Sequence, residues 1–125
     1  GNTTASFNSA VGYMALGANT TGQLNNAFGY QALVTNTTGD QNTAVGHQAL
    51  YSNSTADNNT AMGCGALDAN TTASDNVAMG YAALGANTTG DLNTAIGTQS
   101  MSNCTNSDRN VAVGYATLQN IAAGQ

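Results

Sequence analysis

Four aspartates, Asp40, Asp57, Asp91 and Asp108, share one column of a 17-residue repeat, broken once by Ser74. Carboxylates stacked this way repel one another unless solvent or a cation intervenes. Their spacing is not the Gly-Gly-x-Gly-x-Asp pattern of calcium-binding repeats, so a solvated corner is expected and no metal is assigned. His47 is the only histidine, and Cys64 holds the same place one repeat later. A thiol and an imidazole could form a nucleophile–base couple, but such a couple needs a third group to orient the base, and none repeats beside it. His47 and Cys64 instead occupy the column that holds Tyr13, Tyr30, Tyr81 and Tyr115. Those four tyrosines are the candidate surface contacts: rings that pack between chains, or an aromatic stripe that meets a glycan. Asn-x-Ser/Thr sequons occur at Asn2, Asn19, Asn36, Asn53, Asn58, Asn70, Asn87 and Asn103, most of them from one column, and are read as repeat chemistry rather than a glycan ladder.

Every one of these columns comes from a single repeat. Asn93-Thr94-Ala95-Ile96-Gly97 recurs as Asn42-Thr43-Ala44-Val45-Gly46, Asn59-Thr60-Ala61-Met62-Gly63 and Asn110-Val111-Ala112-Val113-Gly114. Its glycine falls at Gly12, Gly29, Gly46, Gly63, Gly80, Gly97 and Gly114, the same 17-residue step every time. Residues 1–125 therefore form one array: a partial unit over 1–8, then repeats starting at 9, 26, 43, 60, 77, 94 and 111. With the residue after the recurring Asn as the first position, the second is always Ala. The third is Val11, Phe28, Val45, Met62, Met79, Ile96 or Val113, and the eighth is Leu16, Leu33, Leu50, Leu67, Leu84, Met101 or Leu118. The last position of the unit is Asn throughout, at Asn8, Asn25, Asn42, Asn59, Asn76, Asn93 and Asn110.

Composition excludes several partners. One Arg and no Lys leave no basic stripe for a nucleic-acid backbone and no polybasic patch for an anionic membrane. No apolar run approaches the roughly 18–20 residues that span a bilayer. Asn and Thr, 18 of each, replace the usual charged residues. Such a composition can be disordered, but disorder places no demand on the spacing of an apolar residue. Cys64 and Cys104 stand at different repeat positions more than two units apart, too far for a disulfide between stacked units, and are read as unpaired.

A 17-residue period is too short for the helical repeats and suits one coil of a parallel β-solenoid, with coils stacked about 4.8 Å apart. Two short strands per coil are predicted, one over residues 94–96 and one near residues 99–101 or 87–89. Glycines at the fourth and fourteenth positions are predicted to form corners with unusual φ. The third and eighth positions are predicted to stack into continuous apolar ladders, and the asparagine columns into amide ladders between coils.

The run Asn-Thr-Ala-Val-Gly-x-x-Ala-Leu followed by Asn-Thr-Thr-Gly resembles repeats of phage tail fibres and related bacterial surface proteins. More distantly, Asn110-Val111-Ala112-Val113-Gly114 resembles the head repeats of trimeric autotransporter adhesins. The resemblance implies a parallel β-roll of side-by-side chains. The expected protein is all-β, a parallel β-solenoid with 17-residue coils assembled as a homotrimer. It is read as a non-enzymatic structural rod of an extracellular or virion fibre, without cofactor, nucleic-acid partner or membrane insertion. A self-assembling filament, a glycan-binding solenoid and an ice-binding solenoid are the alternatives. Without an initiator Met or a signal peptide, the chain is expected to be a mature piece or fragment. It opens and stops in mid-repeat, at Gly1 and Gln125, so it is expected to belong to a longer fibre or to stack end to end.

Overall fold

A computed structural model describes residues 4–121 of the chain. Asn2 and the two end residues, Gly1 and Gln125, on which the expectations of a first sequon and of continuation rest, lie outside them. The described residues form an all-β parallel solenoid with one strand per coil: β1 (Ser9–Val11), β2 (Asn26–Phe28), β3 (Thr43–Val45), β4 (Thr60–Met62), β5 (Val77–Met79), β6 (Thr94–Ile96) and β7 (Val111–Val113). They pair in chain order in a single seven-stranded sheet. The register advances by one repeat at each step, with Thr43 beside Thr60, Ala44 beside Ala61 and Val45 beside Met62. Each column of the sequence is thereby a column in space.

Side chains alternate along a strand, so only one of two phases can hold. The alanine of the second position points inward; Ala27, Ala44, Ala61, Ala78 and Ala95 have no exposed surface. Leu33, Leu50, Leu67, Leu84 and Met101 are equally closed off and belong to the same core, with Leu16 nearly so. Each such Leu contributes roughly 1.5–3 kcal/mol by burial. Leu118 departs from its column and is exposed, because it lies in the last described coil and is covered from one side.

The third position is not an interior ladder. Val11, Phe28, Met62, Ile96 and Val113 are 38–64% exposed, and Val45 and Met79 are half-buried. The alternation that turns Ala inward turns its larger neighbours out. The interior is narrow enough that Ala, rather than Val or Ile, fits beside the leucines.

The second strand predicted for each coil is absent among the described residues. Residues 99–101 lie in a turn and residues 88–89 in a bend, with no strand at either place. For residues 99–101 the reason is backbone conformation: Gln99 and Met101 have φ of 57° and 52°, in the left-handed region, and an extended run cannot contain them. The segment still bonds from coil to coil. The Gln99 N–H donates to the Tyr81 carbonyl at 2.8 Å, and the Leu84 N–H to the Ser100 carbonyl at 3.0 Å. Left-handed residues recur at the sixth, eighth and sixteenth positions, for example Ala82 (φ 52°), Leu84 (φ 51°) and Leu92 (φ 61°). At about 1–2 kcal/mol for each non-glycine residue, a lone coil is strained and unstable. Stacking supplies the bonds that offset the strain.

The fourth-position glycine has φ between 125° and 143° throughout, and a Cβ on Gly29 would sit 2.4 Å from the carbonyl oxygen of Gly46. Only glycine fits such a corner. The fourteenth position differs from the expectation. Gly22, Gly39 and Gly90 have no positive φ, and Ala56 and Ala73 occupy the same column.

Candidate functional site: an exposed apolar and aromatic ribbon

The outward third-position residues form one file along the sheet. One corner away, past the glycine, runs the file of Tyr13, Tyr30, His47, Cys64, Tyr81, Thr98 and Tyr115. Tyr13, Tyr30, Tyr81 and Tyr115 are all exposed. Tyr13 and Tyr30 stack with ring centroids 5.4 Å apart and 16° between planes, and Tyr30 stacks on His47 at 5.1 Å and 11°. These rings cover one another's faces and turn their edges to solvent. Together the two files make a ribbon that is apolar or aromatic at nearly every coil and carries no formal charge while His47 is neutral.

Cys64 continues the stack, with its sulfur 4.0 Å from His47 Nδ1. That is a weak contact between neighbouring coils, at the long limit of a hydrogen bond to sulfur. Cys104 is buried at another position, so the two thiols are free and apart. Among the described residues no group of three metal-ligating side chains occurs, and no enclosed pocket opens. Nor is any helix long and apolar enough to cross a membrane.

The aspartate column has a defined partner. Asp40 Oδ1 accepts the backbone N–H of Gln23 at 2.7 Å, Asp57 that of Asp40 at 2.7 Å, and Asp108 that of Asp91 at 2.9 Å. Ser74 keeps the rung with its hydroxyl, 3.1 Å from the Asp57 nitrogen. Each carboxylate meets an amide hydrogen of the preceding coil, which lowers the repulsion along the column.

Both asparagine columns are interior. Asn25, Asn42, Asn59, Asn76 and Asn93 are fully buried, while Asn8 and Asn110 in the outer coils are half-buried. Each rung does two jobs. Asn42 Oδ1 accepts the backbone N–H of Asn59 at 3.0 Å, and the Asn42 amide donates to the Ala56 carbonyl at 2.7 Å. The eleventh-position residues Asn36, Asn53, Asn70 and Asn87 pass an amide hydrogen to the Asn of the preceding coil at 2.9–3.2 Å. Five of the sequons, at Asn19, Asn36, Asn53, Asn70 and Asn87, are therefore buried rungs, whereas Asn58 and Asn103 are exposed. The Thr pair after each rung divides its roles. Thr37 Oγ1 donates to the Ser54 carbonyl at 3.0 Å, while Thr38 faces solvent in file with Thr21, Thr55, Thr72 and Thr89.

Sequence reasoning missed half of the ribbon. The only signal for the outward third position was its variety, from Val to Phe to Met, against the invariant Ala beside it. No family model, curated protein or solved structure matches the chain.

Proposed function

We propose that the chain is a structural rod, the shaft of an extracellular or virion fibre that carries or contributes to surface attachment. The observation that supports this most directly is the uniformity of its joints. From coil to coil the same buried Asn rungs, the same glycine corner and the same backbone bonds recur. A unit that contacts only its neighbours lengthens without changing its cross-section, which is what a shaft requires. The motif resemblance to tail fibres and adhesin heads points the same way.

Two experiments test the reading. Joining two copies of residues 9–110 in phase doubles the number of coils. Electron microscopy is expected to show a rod of unchanged width, longer by about 29 Å for the six added coils. A collapsed or branched particle would refute it. Antibodies raised against the array are expected to label intact source particles or cells, and labelling only after disruption would remove the extracellular assignment.

A further inference from the structure

We propose that the apolar and aromatic ribbon is the surface through which copies of this chain pack side by side. The inference rests on the rod reading and adds to it a partner and a face.

The chemistry of the coil separates this face from the rest. The other outward files are polar or broken by polar residues: Thr21, Thr38, Thr55, Thr72 and Thr89 form one and Asp40, Asp57, Asp91 and Asp108 another, while the sixteenth-position file exposes Phe7, Leu24 and Leu92 but is interrupted by Gln41, Asn58, Asp75 and Arg109. The strand itself does not require an apolar third position, since its first position faces the same way and is Ser9, Asn26, Thr43, Thr60 or Thr94 in most coils, with Val77 and Val111 in the others. Yet seven coils in succession place Val, Phe, Met or Ile there, with Phe28, Met62 and Ile96 each near 40% exposed in mid-array or close to it. An isolated exposed apolar residue is ordinary, but a continuous file of them marks a contact surface.

Periodicity names the occupant. The ribbon repeats once per coil without interruption, and the surface of a globular partner has no such repeat. A second copy of the chain has it, so every rung of one ribbon meets an equivalent rung of the other. The first five positions of each coil, which carry both files, at about 3.3 Å each, and seven coils of about 4.8 Å give a face of roughly 560 Å² per copy. A pair then buries roughly 1,100 Å², just under the range of stable specific interfaces and in that of weak ones, and each further coil adds roughly 160 Å². Association of this array is accordingly expected at micromolar concentration and strengthens as coils are added. A closed set of three copies, with each ribbon shared between two neighbours, satisfies the same face.

Sedimentation of the purified chain from about 1 to 100 µM tests it. A mass of two or three chains is expected, and the Met62→Asp/Ile96→Asp double variant is expected to sediment as a monomer with an unchanged circular dichroism spectrum. The Thr38→Asp/Thr72→Asp variant, charged on the polar file, should keep the wild-type mass. Cys64 gives a second readout, because it stands on the ribbon in the central coil. Oxygen with copper phenanthroline should join two Cys64 thiols as a disulfide, the two electrons passing to oxygen, and Cys64→Ser should abolish the covalent dimer. A monomer at 100 µM would overturn the proposal, as would an oligomer that survives the double variant. A monomer that floats with phosphatidylcholine vesicles would assign the face to lipid and overturn it equally. None of these outcomes alters the dimensions of the rod, so failure of the interface and failure of the rod reading remain separable.

Discussion

Asn59→Ala is expected to be among the most damaging single changes in this chain. The Asn59 side chain lies between coils and is fully buried. Its oxygen accepts the Asn76 N–H at 3.0 Å, and its amide donates to the Ala73 carbonyl at 2.9 Å. The Ala73 carbonyl keeps a second donor in Asn70, so its loss is partial. The Asn76 N–H has no such reserve and would be left buried and unpaired, which costs about 1–3 kcal/mol. With the lost amide bond and the space left behind, the total comes to about 3 kcal/mol, a large fraction of the stability of a domain this size. Asn58 next to it is the control. It is exposed, and Asn58→Ala changes only a left-handed residue, by about 1 kcal/mol or less. Urea unfolding of both variants, followed by circular dichroism, makes the comparison. Because repeat arrays can open in segments, the midpoints should be read together with the slopes. Equal midpoints for the two variants would refute the assignment of the ladder as a structural element.

Four further outcomes follow from the same geometry. Ala82→Gly should stabilise by roughly 1 kcal/mol in thermal melts, since Ala82 has φ 52° and Gly65 already occupies that column. The Ser107 hydroxyl is buried without a hydrogen-bond partner, in a column where Ala56 and Ala73 fit. Ser107→Ala should therefore raise the urea midpoint by an amount equal to about 1 kcal/mol. Leu67→Asp places an unpaired charge in the closed core, and a loss of several kcal/mol is expected, against little change for Asp68→Ala. Asp68 itself should tune pH dependence. Partial burial raises its pKa above the ordinary carboxylate value, against weaker lowering by the backbone hydrogen bonds of Ala69 and Asp68. A raised acid favours folding in its protonated form, so its contribution is full below the unfolded value of 3.8 and is lost as pH rises through the folded one. Asp68→Asn should flatten the stability profile across that interval, and an unchanged profile would contradict the burial.

The sequence by itself determined the stacking. A glycine at the same place in every unit, with no insertion between units, allows identical coils to lie in register. Gly29 explains the strictness, because its φ of 143° and the 2.4 Å approach to Gly46 exclude any other residue. The buried Asn column was also written in the sequence, since an unvarying amide beside an apolar strand has few other uses. The phase of the strand was not. Ala61 and Met62 are both apolar, and a period-two pattern states only that they face opposite ways. Which one enters was decided by the width of the coil, set by Leu67 and its neighbours in three dimensions, and that decision placed the ribbon on the outside. The left-handed conformations of Gln99, Met101 and Leu92 were equally invisible, because none of these side chains favours that region. The neighbouring coils impose them, through backbone hydrogen bonds that exist only once the array is stacked.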